Sequence, residues 1–463
     1  MVFRAPVNLF GKFKTAMDSS NLLNLLTDLI KDAKSAGADS ADAIIVDGTS
    51  VSVTYRLGKL EHLERSEGGD IGLRVFKGNR QAIVSSADRK SAALKELVER
   101  AVSMAETVPE DPFCGIADPS QLAKTLPVID ICDPANIPVE TLISHAEACE
   151  AAARAVSGVT HSEGASASWG RHNVAVASSN GFARAYESSG SSLSASVLAG
   201  DSNKGMETDY DYTAAVYFSD LRHPEDVGRS AGEKAVKKLG GRKVISQKLP
   251  IIYDPRVARS LVGHFIAAIN GTAVARGTTF LKDLMGKEIF SSAITITEDP
   301  HQNRGLRSKP CDAEGLENSK RNLADKGVLT TWLMDLRAAR QLNLEPTGHA
   351  SRGTGSPPSP SATNVVLESG MITPAALMAD IKKGLYVTDL VGQGVNMITG
   401  DYSRGAVGYW IEDGEIAYPV HEVTVAGNLK DMFKGMTAAN DLKIRYGIDS
   451  PTLRIEGMSM AGT

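Results

Sequence analysis

Apolar residues along this chain recur first at helical spacing and then at alternating spacing, and the switches between the two predict its elements. Leu22, Leu23, Leu25, Leu26, Leu29, Ile30 and Ala33 mark one stripe of a helix that begins at Asp18-Ser19-Ser20 and stops near Gly37. Asp42–Val46 is a short apolar run, and Val51, Val53 and Tyr55 alternate with small polar residues, the period of a half-buried strand. Leu60–Arg65, Ile71–Phe76 and Gln81–Ser85 continue that pattern, with hairpin turns expected at Gly68-Gly69 and Gly78-Asn79. A second amphipathic helix runs from about Lys90 to Ala105, so helix, meander and helix make one α+β unit.

Six prolines between Pro109 and Pro138 break the pattern and predict a surface linker over about 107–137. A helix from about Val139 to Val156 leads into Ser- and Ala-rich strands at His172–Ser178, Phe182–Ser188, Ser191–Leu198 and Thr213–Ser219. Another helix covers about Pro224–Leu239. From Leu249 the texture changes. A strand to Tyr253 meets Asp254-Pro255, an N-cap followed by proline at the first helical position, and a helix through about Ile269. Short strands and glycine turns dominate beyond it, with a polar, proline-broken loop at Ser351–Pro360 expected to be mobile. Tyr409–Glu412, Asp413-Gly414 and Glu415–Val420 read as a hairpin.

Length and charge narrow the classes. At 463 residues the chain exceeds one ordinary domain, and a net charge of -5 disfavours a dedicated nucleic-acid binder. No apolar run reaches the ~20 residues needed to span a bilayer, and Met1–Lys14 lacks a signal-peptide core, so residues 1–19 are expected to be a flexible tail of a cytoplasmic protein. Cys114, Cys132, Cys149 and Cys311 show no C-x-x-C spacing, which fits reduced thiols better than a zinc site.

The nine histidines are scattered and form no H-E-x-x-H. His264 stands out because it falls on the helix after Pro255. There is no G-x-S-x-G elbow, no Walker lysine, and no helix directly after Gly353-Thr-Gly355 or Gly392-Gln-Gly394 to cradle a phosphate. The densest polar cluster holds Asn396, Thr399, Gly400, Asp401, Ser403 and Arg404. It is either a rim of a substrate groove or a subunit contact, or a stack of hairpins with an internal Asp401–Arg404 pair.

That C-terminal segment resembles the TldD/PmbA family, once called modulators of DNA gyrase. The resemblance rests on Gly392–Asn396, Thr399–Gly405, Tyr409–Glu415, Pro419-Val420 and Val425–Lys430, with further matches at Ser66–Val75, Arg307–Gly315 and Thr347–His349. It implies an α+β fold: an N-terminal α+β domain of antiparallel strands and flanking helices (20–245) and a mainly β C-terminal domain (246–463). The strand and helix pattern divides near the same point. TldD-type subunits of the family carry H-E-x-x-x-H on a helix, whose histidines hold zinc with a distant C-terminal cysteine while the glutamate acts as general base. Here the matching stretch reads Arg259-Ser260-Leu-Val-Gly-His264, and Arg445–Thr463 contains no cysteine. The resemblance therefore implies a PmbA-type (TldE-type) subunit with no catalytic residue and no cofactor of its own. It implies a TldD-type partner that carries zinc, in a heterodimer whose chamber takes unfolded or short peptides. A homodimer of the chain alone is left open. So are two other readings: a stand-alone peptide hydrolase with a different site, and a protein-binding regulator of DNA gyrase.

Overall fold

The computed structural model describes residues 19–201 and 205–462. The expected tail thus lies outside the described residues apart from Ser19. Helix α1 (Ser19–Ser35) buries Leu22, Leu26, Leu29, Ile30 and Ala33, the stripe that the spacing predicts. Strands β1 (Ser40–Arg56), β2 (Lys59–Lys77) and β3 (Arg80–Ser86) precede helix α2 (Ser91–Thr107). Helix α3 (Val139–Arg154) precedes β4 (Val159–Ser178), β5 (Ala183–Asp201), β6 (Gly205–Ala215) and helix α4 (Pro224–Lys237). All six strands form one antiparallel sheet in the order β3-β2-β1-β4-β5-β6.

These strands are longer than the local pattern predicts. Asp42–Val46 and Val51–Tyr55 are two ends of β1, and Leu60–Arg65 and Ile71–Phe76 are two ends of β2. The turn between β1 and β2 is Leu57-Gly58, both at positive φ (51° and 76°), as a tight hairpin requires. Gly68-Gly69, expected as a turn, lies mid-strand opposite Gly48 and Asp47. A Cβ on Gly69 would fall 1.8 Å from Asp47 Oδ1, so the glycine makes room for the Asp47–Arg89 ion pair rather than for a chain reversal. The turn expected at Gly78-Asn79 is present between β2 and β3.

One face of the sheet carries the helices. Ala43 and Ile45 of β1 pack with α1 and α2, and Val51 and Val53, on the same face by alternation, pack with α3 and α4. The small residues of this region serve close approach: a Cβ on Gly228 of α4 would meet Cys149 O of α3 at 1.9 Å. Gly228→Ala is expected to push α4 off α3 and cost about 1–3 kcal/mol, read as a lowered denaturation midpoint. An unchanged midpoint would mean that the two helices separate freely.

The opposite face meets the C-terminal half. Ile44 and Val176 pack there with Phe182 and Cys311. The stretch expected as a linker is pinned to this half. Arg337 Nε donates to Asp111 at 2.7 Å, and Arg340 donates to the carbonyls of Phe113, Gly115 and Ile116. In the C-terminal half, β7 (Gln247–Tyr253) is central to a six-stranded sheet, between the parallel strand Lys383–Val391 and the antiparallel strand Leu453–Ala461. The last of these also pairs with Glu415–Asn428, which curls the sheet on itself. Helix α5 (Pro255–Ala268) follows β7 directly; Asp254 caps it by accepting from Arg256 N at 2.9 Å. Phe265 anchors α5 in an aromatic core with Phe290 and Phe433. A five-stranded sheet between Ile296 and Asp449 completes this half. The whole is an α+β fold.

Ser351–Pro360, expected as a mobile loop, is tied down. Ala350 and Ser351 pair with Pro360 and Ser359, and Thr354 O lies 2.0 Å from where a Cβ on Gly72 would be. The loop therefore rests on bare backbone of β2, an approach only glycine permits.

Candidate functional site

The site is built around the first turns of α5. Arg256, Arg259 and Ser260 share one helical face by i, i+3, i+4 spacing, while Leu261, Val262 and Phe265 face the core. The polar face lines a cavity of about 380 Å³ with Arg307, Asp389, Arg404 and Tyr446. Of the residues expected at a site, this cavity unites Arg259, Ser260 and Arg404. Arg256, Arg307, Tyr210, Tyr446 and Asp389 join them without having been singled out. The Arg256–Arg259 spacing was a local signal; the others converge only in three dimensions.

Each guanidinium is held differently. Arg256 Nη1 donates to Asp209 Oδ1 at 2.6 Å and its plane lies 3.9 Å over the ring of Tyr210, while its Nη2 is buried without a partner. Asp209 binds Lys238 as well, at 2.8 Å. Burial pushes the Asp209 carboxyl up, but Arg256 and Lys238 together hold it below the usual carboxylate range. Arg259 lies 5.2 Å over Tyr446 and 5.8 Å over Tyr212, two rings stacked on each other at 4.6 Å. Arg307 donates to the carbonyls of Thr363 and Ala362 at 3.1 and 2.9 Å. Arg404 reaches only long contacts of 3.4 Å, to Val391 O and Leu390 O.

Ser260 and His264 are not arranged for chemistry. Ser260 Oγ donates back along its own helix to Val257 O at 2.6 Å, the ordinary fate of a helical serine. His264 presents its ring edge-on to Tyr402 at 6.1 Å, and its Nε2 is buried without a partner. Burial, and then the charge of Arg404, push its pKa down, so the imidazole is neutral near pH 7. The buried His349 is locked between Thr347 Oγ1 at 2.7 Å and Glu298 Oε2 at 2.6 Å, and among the described residues no serine or cysteine side chain bonds to His349.

The polar cluster divides. Asn396, Thr399, Gly400 and Asp401 form a self-contained turn: Asn396 Oδ1 accepts from Ile398 N, Gly400 takes φ 88°, and Thr399 Oγ1 donates to Asp401 Oδ2 at 2.6 Å. Asn428 Nδ2 closes the turn on Thr399 O and Asp401 Oδ1, both at 3.1 Å. Ser403 is exposed, its N–H donating to Gly394 O at 2.6 Å. The expected Asp401–Arg404 pair does not form. Three residues apart on one strand (Asp401–Glu412), the two side chains leave opposite faces, Asp401 to the turn and Arg404 to the cavity.

Zinc does not fit these residues. It needs about three protein donors, normally imidazole, thiolate or carboxylate. Here His264 is the one imidazole on α5 and the nearby charge acting on it is that of Arg404, and among the described residues no group of three His, Cys, Asp or Glu side chains is placed to hold a metal. The thiols lie elsewhere; Cys149 and Cys311 are buried, and burial pushes both up to about 12.

Helix α5, which carries the arginine cavity in the C-terminal half, offers no donor set for a metal among the described residues. Residues 246–462 match the PmbA/TldA metallopeptidase C-terminal domain, 132–239 the central domain, and 41–105 domain 1. The chain is 38% identical over 431 residues to Metalloprotease PmbA of Escherichia coli O157:H7, covering 92% of this chain and 93% of that protein. A crystal structure from Bacteroides thetaiotaomicron, described as a candidate modulator of DNA gyrase, superposes with a TM-score of 0.89 at 26% identity, covering 97% of this chain and 100% of the other. TldE from Thermococcus kodakarensis shares the fold, with a TM-score of 0.84 at 19% identity over 95% of this chain and 100% of the other. The chain belongs to the PmbA/TldD metallopeptidase family. Among the described residues no helix is long and apolar enough to cross a membrane.

Proposed function

We propose that this chain is a non-catalytic, PmbA/TldE-type subunit of a cytoplasmic metalloprotease complex. Its partner is a TldD-type chain that supplies the zinc and the general base, and the pair degrades unfolded or short peptides. This chain shapes the chamber and limits access to it. The observation that carries the reading is the composition of α5: Arg259 and Ser260 stand where a histidine and a glutamate would be needed, and His264 alone remains, beside Arg404. A fixed cation in a metal's place repels a dication, and a serine whose hydroxyl is bonded to its own helix abstracts no proton.

His264→Ala is expected to leave peptide hydrolysis by the mixed subunits within about threefold of the wild type, whereas loss of one zinc ligand in the partner should abolish it. A comparable loss in both variants would place His264 in the chemistry and overturn the reading. A second chain with an intact H-E-x-x-x-H should co-purify with this one.

A further inference from the structure

We propose that the arginine-lined cavity on α5 is an anion site that takes the C-terminal carboxylate of a peptide. The proposal deepens the reading given above and rests on it for the ligand being a peptide.

The charges in the cavity are unbalanced. Four guanidinium groups line it, and Asp389 is the single acid among its lining residues. Asp209 neutralises Arg256, but it is shared with Lys238. Among the described residues no carboxylate lies within ion-pair distance of Arg259, Arg307 or Arg404. Like charges converging on one space repel one another unless an anion joins them. The buried, unpartnered Nη2 of Arg256 is a further donor whose desolvation is uncompensated in the free chain. An oxyanion in the cavity would relieve the repulsion among the guanidinium groups. The arginines are also preorganised: Tyr210 lies under Arg256 and Tyr446 under Arg259, and Arg307 is fixed by two carbonyls. Planar donors held in this way favour a carboxylate, which they can grip in two-point fashion.

The surroundings select among anions. Val257, Leu390 and Ile448 give the cavity an apolar wall, suited to a terminal side chain and of no use to a bare ion. Behind the shared wall of Tyr210, Arg256, Arg259 and Tyr446 lies a second cavity of about 350 Å³. Its lining mixes signs, with Asp211, Asp254, Asp441 and Asp449 against Lys234, Lys443, Arg445 and the shared Arg256 and Arg259. A lining of nearly balanced charge holds a chain of neutral amides without needing further negative charge on it. A single negative charge attached to an uncharged, partly apolar chain satisfies both cavities.

The test uses the full chain alone and a labelled short alanine peptide ending in leucine, as the free acid and as the C-terminal amide. Direct binding is expected to favour the acid by roughly tenfold, and Arg259→Gln combined with Arg404→Gln should erase the difference. The double variant must keep the wild-type denaturation midpoint; if it does not, Arg404→Lys, which keeps the charge and loses the fork, should reduce the preference alone. Equal binding of acid and amide, no saturable binding of either, a preference that survives in the variants, or displacement by inorganic phosphate at concentrations matching the peptide would each overturn the proposal. Hydrolysis by the mixed subunits separates the two claims. A mixture that cleaves both peptides while the chain alone ignores the carboxylate leaves the subunit reading standing and removes the site. Acid-selective binding by the chain with no cleavage in the mixture does the reverse.

Discussion

Asp42→Ala should destabilise the chain by about 3–5 kcal/mol, the cost of leaving buried cations without their partner. Asp42 is 5% exposed and faces the C-terminal half from β1. Its Oδ2 accepts from Arg74 Nε at 2.9 Å and also from Arg74 Nη2, and its Oδ1 accepts from Arg352 Nη1. The Arg352 side chain is fully buried, and its Nε and Nη2 find no other partner. Burial pushes the Asp42 carboxyl up, but Arg352 and Arg74 hold it below the usual range. Glu314 lies 3.8 Å from Arg74, beyond hydrogen-bond distance, and burial pushes its own carboxyl up, so it replaces Asp42 poorly. The removal would loosen Ser351–Pro360 from β2 as well as cost stability. Denaturant unfolding of the variant measures the effect; a loss below about 1 kcal/mol would mean that the two arginines reach water in the folded state.

Asp209→Asn should cost a similar amount, about 3–5 kcal/mol, by the same physics at the other junction. Asp209 sits on β6 at 3% exposure, and its charge holds Arg256 of α5 and Lys238 just after α4. Asparagine keeps the shape and loses the charge, so two buried or half-buried cations remain opposite a neutral amide. Both acids titrate below the ordinary carboxylate range when folded. Their contribution is therefore complete above the unfolded carboxylate pKa and is lost as pH falls through the lower, folded value. The Asp209→Asn penalty should accordingly shrink in acid, where the wild type has lost the same charge. A penalty that grows as pH falls would contradict the ion-pair account.

Much of the fold was legible because its signals are local. The stripe of α1, the Asp254 cap and Pro255 of α5, and the Asp413-Gly414 turn at φ 49° and 84° each depend on a few neighbouring residues. The long strands were not legible, because glycines that interrupt a local pattern are read as turns. Gly69, read as part of a turn, is instead space for the Asp47–Arg89 pair, and the unassigned Gly48 leaves room for His172 across the sheet. The start of β6 was missed for a related reason. Asp209 and Asp211 look like turn residues in sequence, yet both are buried with cationic partners. The family motif in α5 drew attention to Arg259, Ser260 and His264. That Arg259 and Ser260 share a cavity with Arg307 and Arg404 depends on packing between segments far apart in the chain.

Zinc content and peptide hydrolysis of this chain, alone and mixed with a TldD-type partner, test the central claim most directly. The account predicts no bound zinc and no cleavage by the isolated chain, with cleavage and zinc appearing in the mixture. Stoichiometric zinc in the isolated chain, or metal-dependent cleavage by it, would contradict the account, because α5 offers no donor set to hold the metal.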